Sequence, residues 1–130
     1  MRVLKPVLAM LVALLVLDAI WIGAFMQGLY EREIGSMLRV EPNWVAALIF
    51  YLAYPLGAYR LVVTPALTTQ SIRTALLNGA VLGAIAYGTF AVTNLSVIQG
   101  WGVTLTLVDT VWGAFVTAVV CGLGYLTARD

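Results

Sequence analysis

Four long apolar stretches divide this chain, and they restrict its fold more than any other feature of the sequence. They cover residues 6–30, 44–63, 75–98 and 104–128, and each is near the roughly 20 residues that an α-helix needs to cross a bilayer. Hydrophobic residues make up 62% of the chain and charged residues 10%, against about 25% charged in a soluble domain. The sequence therefore predicts an all-α polytopic membrane protein, a compact four-helix bundle forming one domain over residues 1–130.

The connecting segments have loop composition and set the orientation. Residues 31–43 are charged and contain Gly35 and Pro42, residues 64–74 contain Pro65, and residues 99–102 form a tight turn. With four spans the termini share one side, which holds five of the seven basic residues: Arg2, Lys5, Arg60, Arg73 and Arg129. The positive-inside rule then predicts cytoplasmic N and C termini. The apolar run after Lys5 is too long for a signal peptide and indicates a retained helix.

Two aspartates interrupt the apolar stretches, and each has a tryptophan one helical turn later. The pairs are Asp18 with Trp21 and Asp109 with Trp112. A carboxylate near the bilayer centre costs about 2.5 kcal/mol or more on insertion scales. A structural role, with each aspartate accepting hydrogen bonds across helices, competes with a functional one.

Helical spacing places further polar and aromatic groups beside these pairs. Tyr51 and Tyr54 share a face of the second helix, and Tyr87, Ala91 and Asn94 share a face of the third. At about 1.5 Å rise per residue, Asp18 lies near the midplane and Asp109 in the outer third. The pattern predicts a ligand-binding pocket in the outer half of the bundle, lined by Asp18, Trp21, Tyr51, Tyr54, Tyr87, Asn94, Asp109 and Trp112.

Other small and aromatic residues of the sequence are explained by close helix packing and by anchoring at the membrane interface. Ala75, Gly79 and Gly83 form a row of small residues that favours close approach of two helices. Tyr30 and Trp101 fall near the predicted membrane interfaces, where aromatic rings anchor helices.

Several classes of chemistry lack the residues that they need. The chain has no histidine and one cysteine, Cys121, so zinc sites, iron–sulfur clusters and Cys-His catalysis are excluded. Cys121 is interpreted as a small core residue. No metal site, cofactor or catalytic residue is predicted, and the net charge of +1 gives no field for nucleic acid.

The order of short motifs resembles a known family. These motifs are Leu17-Asp18-x-x-Trp21-Ile22-Gly23, Ile34-Gly35-x-Met37-Leu38, Phe50-Tyr51, Pro65-Ala66-Leu67, Asn78-Gly79-Ala80, Tyr87-Gly88-Thr89-Phe90, Thr93-Asn94-Leu95, Gly100-Trp101 and Val108-Asp109-x-x-Trp112-Gly113. Together they resemble the bacterial membrane proteins of domain-of-unknown-function family 2177 (DUF2177). The resemblance implies a four-helix protein of the bacterial inner membrane with no assigned activity. The family pattern has an aspartate after Tyr-Gly-Thr-aromatic, where this chain has Ala91.

Three functions remain open on the sequence. The first is binding or transport of a cation, a proton or a small amphipathic molecule, which would require a homo-oligomer or another membrane protein to enclose a transport path. The second is an accessory or scaffold subunit of a membrane complex. The third, for which no nucleophile or metal motif is present, is an enzyme that modifies a lipid or isoprenoid. The sequence favours a non-enzymatic role with membrane lipids as the surrounding partners.

Overall fold

Helices make up nearly all of the described chain. The computed structural model describes residues 3–37 and 43–129. Helix α1 (Leu4–Trp21) continues through a π-helical turn (Ile22–Met26) into α2 (Gln27–Ile34). Helix α3 (Trp44–Ala58) continues through a second π-helical turn (Tyr59–Val63) into α4 (Thr64–Thr69). The long helices α5 (Ile72–Val97) and α6 (Val103–Ala128) complete the chain.

Four helical segments of the described residues are long and apolar enough to cross a membrane. They are Leu4–Ala24, Trp44–Thr69, Ile72–Val97 and Val103–Ala128. The predicted all-α membrane bundle with four spans is therefore confirmed.

Two helix ends lie further along the chain than the sequence predicts. Helix α2 runs to Ile34, into the segment predicted as a loop from residue 31, and residues 38–42 of that loop lie outside the described part. The second span runs to Thr69 despite Pro65. Proline supplies no backbone N–H, but Pro65 lies in the first turn of α4, and the Thr64 backbone N–H before it still donates to the Tyr59 carbonyl oxygen. The π-helical turn is therefore closed by a backbone hydrogen bond immediately before Pro65, and the helix continues.

The closest helix pair is the antiparallel hairpin of α5 and α6. Ala75, Gly79 and Gly83 are all buried, which confirms the predicted small-residue row. A β-carbon added at Gly79 would lie 3.0 Å from the Thr117 carbonyl oxygen, so the two backbones are nearly in contact there. Glycine at these positions lets the helices approach more closely than any side chain would allow.

Helix α1 packs antiparallel on the other side of α6. The Met10 side chain lies against Gly124 near one end of the pair, and Trp21 lies against Trp112 near the other. Between these contacts the core contains Met10, Leu14, Val116, Val120 and Cys121, with Ala58, Val62 and Val63 from the second span. Cys121 is fully buried and so is a core residue, as predicted.

The end of the bundle at which α2 lies, called here the α2 end, has a second small core. Trp101, in the turn between α5 and α6, is 5% exposed and packs with Ala91 and Leu105. Its indole N–H donates to the Thr106 hydroxyl at 3.2 Å. The prediction of Trp101 as an interfacial anchor is therefore wrong, because Tyr30 and Ile34 of α2 pack against this core.

Candidate functional site

Asp18 is buried where α1, α3 and α6 meet. Its carboxyl group is near the C-terminal end of α1, and the residue is 8% exposed. The Tyr51 hydroxyl of α3 donates to Oδ2 at 2.8 Å, and the Trp112 indole N–H of α6 donates to Oδ1 at 3.3 Å. Each carboxyl oxygen thus accepts a hydrogen bond from a different helix. This arrangement offsets part of the cost of removing the group from water.

Asp109 lies on α6, nearer the α2 end. It is 4% exposed, and Oδ2 accepts a hydrogen bond from the Tyr30 hydroxyl of α2 at 2.8 Å. Burial raises the pKa of the Tyr30 phenol, and the neighbouring Asp109 raises that pKa further. The phenol therefore keeps its proton at neutral pH and remains a hydrogen-bond donor to Asp109.

The two tryptophans of the repeated motif stack on each other. The rings of Trp21 and Trp112 have centroids 4.3 Å apart and planes within 4° of parallel. Because Trp112 also donates to Asp18, the tryptophan of the second motif supports the aspartate of the first. The two motifs form one unit across α1 and α6, which spacing within each motif does not reveal.

A cavity of about 610 Å³ adjoins both aspartates and both stacked indoles. This volume lies within the range of small-molecule sites, about 300–1,000 Å³. Seven of the twelve lining residues are aromatic, and the rest include both carboxyl groups. The lining residues are Asp18, Trp21, Ile22, Gln27, Tyr30, Phe50, Tyr54, Ala86, Tyr87, Phe90, Asp109 and Trp112.

The structure brings most of the sequence-predicted pocket residues to this cavity. Six of the eight line it: Asp18, Trp21, Tyr54, Tyr87, Asp109 and Trp112. Tyr51 does not line the cavity, but its hydroxyl donates a hydrogen bond to Asp18, which does. Asn94 is half-buried further along α5 and is not among the lining residues. Ala91, placed on the pocket face by helical spacing, packs instead in the Trp101 core.

Tyr30 also lines the cavity, although its position in the sequence does not predict this. In an unbroken α-helix each residue turns about 100°, so Tyr30, twelve residues after Asp18, would point about 120° away from it. The π-helical turn at Ile22–Met26 closes i to i+5 hydrogen bonds and winds more loosely. The turn therefore rotates α2 so that Tyr30 reaches Asp109. Phe50 and Phe90 are the other aromatic lining residues that are absent from the predicted pocket.

The donor set of the site favours organic groups over metal ions. Among the residues that the structure describes, no group of three or more His, Cys, Asp or Glu side chains could hold a metal. The carboxyl groups already accept hydrogen bonds from tyrosine and tryptophan. The remaining wall presents aromatic faces, which attract cations through the ring quadrupole.

Comparison with known proteins identifies the family but no function. A family model described as "Predicted membrane protein (DUF2177)" matches residues 3–126, which is nearly the whole chain. The chain belongs to the DUF2177 family. The four apolar helices agree with that description of DUF2177 as a membrane protein. No curated protein and no solved structure matches the chain.

Proposed function

We propose that this DUF2177 protein binds a small amphipathic molecule with a cationic head in the cavity between α1, α3, α5 and α6. The observation that supports the proposal is the cavity of about 610 Å³ in which two carboxyl groups adjoin stacked and edge-on aromatic rings. A carboxylate supplies charge attraction, and an aromatic face strengthens binding of a cation by about 0.5–2 kcal/mol, with the larger gain when the cation is desolvated. The apolar remainder of the wall favours a head with hydrocarbon groups over a metal ion or a proton alone.

The proposal includes a location and an orientation. The protein lies in the bacterial inner membrane with cytoplasmic termini, because five of its seven basic residues fall on the side of the termini. The α2 end and the cavity then lie in the outer half. Transport rather than binding requires a homo-oligomer or another membrane protein, because four helices alone rarely enclose a path.

A matched pair of ligands tests the proposal. Benzyltrimethylammonium and neopentylbenzene have the same shape, and only the first carries a charge. We expect the cation to bind at least about tenfold more tightly to the protein in nanodiscs, a difference of about 1.4 kcal/mol. Binding is measured by tryptophan fluorescence in a Trp44→Phe background, since Trp44 is 68% exposed and does not line the cavity.

Two isosteric variants connect the affinity to the site. Asp18→Asn and Asp109→Asn should weaken binding of the cation and leave the neutral isostere unchanged. Equal binding of the two ligands by the parent protein, or cation affinity unchanged in both variants, would overturn the proposal.

A scaffold role is the second candidate, and one observation favours it. In the described part of the chain, every buried side-chain nitrogen or oxygen has a hydrogen-bond partner. Buried polar groups that are fully satisfied in this way can specify helix pairing without any ligand. A scaffold predicts that both asparagine variants complement a deletion strain as well as the parent gene does.

A further inference from the structure

A second, smaller groove adjoins the cavity on the side of α3 and α5. It has a volume of about 260 Å³, and Phe50 and Tyr54 form walls of both spaces. The other lining residues are Ala53, Gly57, Ala58, Leu61 and Leu82. All of these side chains are apolar or absent, so the groove has no hydrogen-bonding site beyond the cavity itself.

The groove exists because two helices meet only sparsely. Helix α5 packs mainly on α6, and direct contact between α3 and α5 is slight. One face of α3 supplies Phe50, Tyr54 and Gly57, and Leu61 of the π-helical turn continues it. Small residues at Ala53, Gly57 and Ala58 keep that face shallow. The opening between the helices is therefore not filled by the protein.

The outer rim of the groove faces the lipid. Phe50 is 37% exposed and Leu61 is 64% exposed, and both belong to the membrane-spanning segment Trp44–Thr69. From Phe50 to Leu61 the helix rises about 16 Å, roughly half the hydrocarbon thickness of a bilayer. A second transmembrane helix, about 10 Å wide with side chains, is too large for a groove of this volume. A single alkyl chain is narrow enough to fit.

We propose that this groove is a lateral opening that holds the alkyl chain of an amphiphile whose cationic head occupies the cavity. The inference rests on the proposed function and adds to it the class of ligand, a single-chain or lipid-like cation that enters from the membrane. The head reaches the aspartates past Phe50 and Tyr54, and the chain lies along α3 toward Leu61. The lipid-exposed rim allows the rest of a longer chain to remain in the bilayer.

Substitution of Gly57 tests the groove proposal. A β-carbon added at Gly57 meets no atom within 4 Å, so a larger side chain there can enter the groove without a backbone clash. In Gly57→Trp the indole should fill the groove. Leu56→Trp is the matched control, because Leu56 is the next residue on α3, is 52% exposed and does not line the groove. Gly57→Ala controls for loss of the glycine itself.

Two ligands with the same head group distinguish binding of the alkyl chain from binding of the head group. Benzyldodecyldimethylammonium carries a twelve-carbon chain, and benzyltrimethylammonium carries none. In nanodiscs we expect Gly57→Trp to weaken binding of the long-chain cation by about tenfold or more relative to Leu56→Trp. The short cation should bind to both variants and to the parent protein equally, because it does not reach the groove.

The outcomes distinguish the two proposals. If the parent protein binds neither cation, the proposed function fails. If it binds both, and Gly57→Trp and Leu56→Trp have the same affinity for the long-chain cation, the groove proposal is overturned and the cavity proposal stands. A change of oligomeric state in Gly57→Trp, seen by light scattering, with chain affinity unaltered, would instead assign the groove to contact between copies of the chain.

Discussion

At the scale of single residues, the two aspartates differ in the helices that donate hydrogen bonds to them. Asp18 accepts hydrogen bonds from α3 and α6, so it joins three of the four spans. Asp109 accepts from Tyr30, and so attaches α2 to α6. Hydrogen bonds between membrane helices contribute about 0.6 kcal/mol on average. The contribution of each bond is small, but their arrangement determines where the carboxyl groups point.

The bond between Asp18 and Tyr51 can be measured by a double-mutant cycle. We expect Asp18→Ala and Tyr51→Phe to couple by about 0.5–1.5 kcal/mol in the free energy of unfolding, because each removes the same hydrogen bond. The measurement is unfolding by sodium dodecyl sulfate in mixed micelles. The control cycle pairs Asp18→Ala with Tyr59→Phe, since in the described chain Tyr59 accepts hydrogen bonds through its backbone oxygen and its hydroxyl has no hydrogen bond. Coupling of equal size in both cycles would contradict the assigned bond.

At the scale of helices, the π-helical turn after α1 determines the shape of the site. It separates a straight membrane-spanning segment from α2, and it changes the face that α2 presents to α6. Such turns occur frequently at functional sites. Here the consequence is specific, because Tyr30 lines the cavity only after this rotation.

Insertion of one residue at the π-helical turn tests whether the direction of α2 positions Tyr30. Inserting an alanine after Ala24, which is exposed, should rotate the rest of α2 by about 100° and turn Tyr30 away from Asp109. We expect the cation affinity to fall about tenfold and the Tyr30 bond to be lost, at a cost of about 1 kcal/mol in the free energy of unfolding. Tyr30→Phe in the insertion background should then cause no additional loss of stability. An additional loss equal to that in the parent protein would show that Tyr30 still donates to Asp109.

The contact between α5 and α6 allows a paired test on one helix. A β-carbon at Gly83 would lie 2.6 Å from the Gly113 carbonyl carbon and 2.7 Å from the Thr117 hydroxyl oxygen, whereas at Gly88 the nearest atom is 3.4 Å away. Gly83→Ala should therefore destabilise the protein by about 1–3 kcal/mol through overpacking. Gly88→Ala should be neutral or slightly stabilising. Thermal unfolding of the two variants in detergent checks the difference, and equal midpoints would contradict the close approach.

The sequence predicts helices well but not all of their contacts. Hydrophobic length gives the four spans, and spacing places Asp18, Tyr54, Tyr87 and Asp109 on faces that meet. Spacing cannot show that Trp112 donates a hydrogen bond to Asp18, because it gives the residues that share a helical face but not the helix against which that face packs. It also fails for Asn94, which shares a stripe with Tyr87 yet lies beyond the end of the cavity lining, and for Tyr30, whose face depends on the π-helical turn.

At the scale of the whole molecule, the bundle has two unlike ends. The α2 end contains the cavity, the aspartates and the Trp101 core, whereas the opposite end is packed with aliphatic side chains such as Met10, Val63 and Val120. The asymmetry of the interior runs along the bundle axis. A molecule that enters the cavity therefore meets a closed apolar core beneath it, which favours binding over conduction through a single copy of the chain.

Cysteine labelling tests the proposed orientation. Gln99→Cys lies in the exposed turn at the α2 end, and Thr68→Cys lies in α4 at the opposite end. In intact cells a membrane-impermeant maleimide should label only Gln99→Cys, and Thr68→Cys should react after permeabilisation. The native Cys121 is fully buried and gives little background. The reverse labelling pattern would place the termini outside and reject the orientation.

The hydrogen bonds of Asp18 have a consequence for biosynthesis. Tyr51 follows Asp18 by 33 residues and Trp112 by 94. At a translation rate of about 5–20 residues per second, the indole donor is made about 5–20 s after the carboxyl group that it serves. Until Tyr51 and then Trp112 are made, the nascent first helix carries an acidic group without the donors that it has in the folded protein. Helix α1 is therefore made before either donor exists, and its acidic group depends on later parts of the chain for its hydrogen bonds.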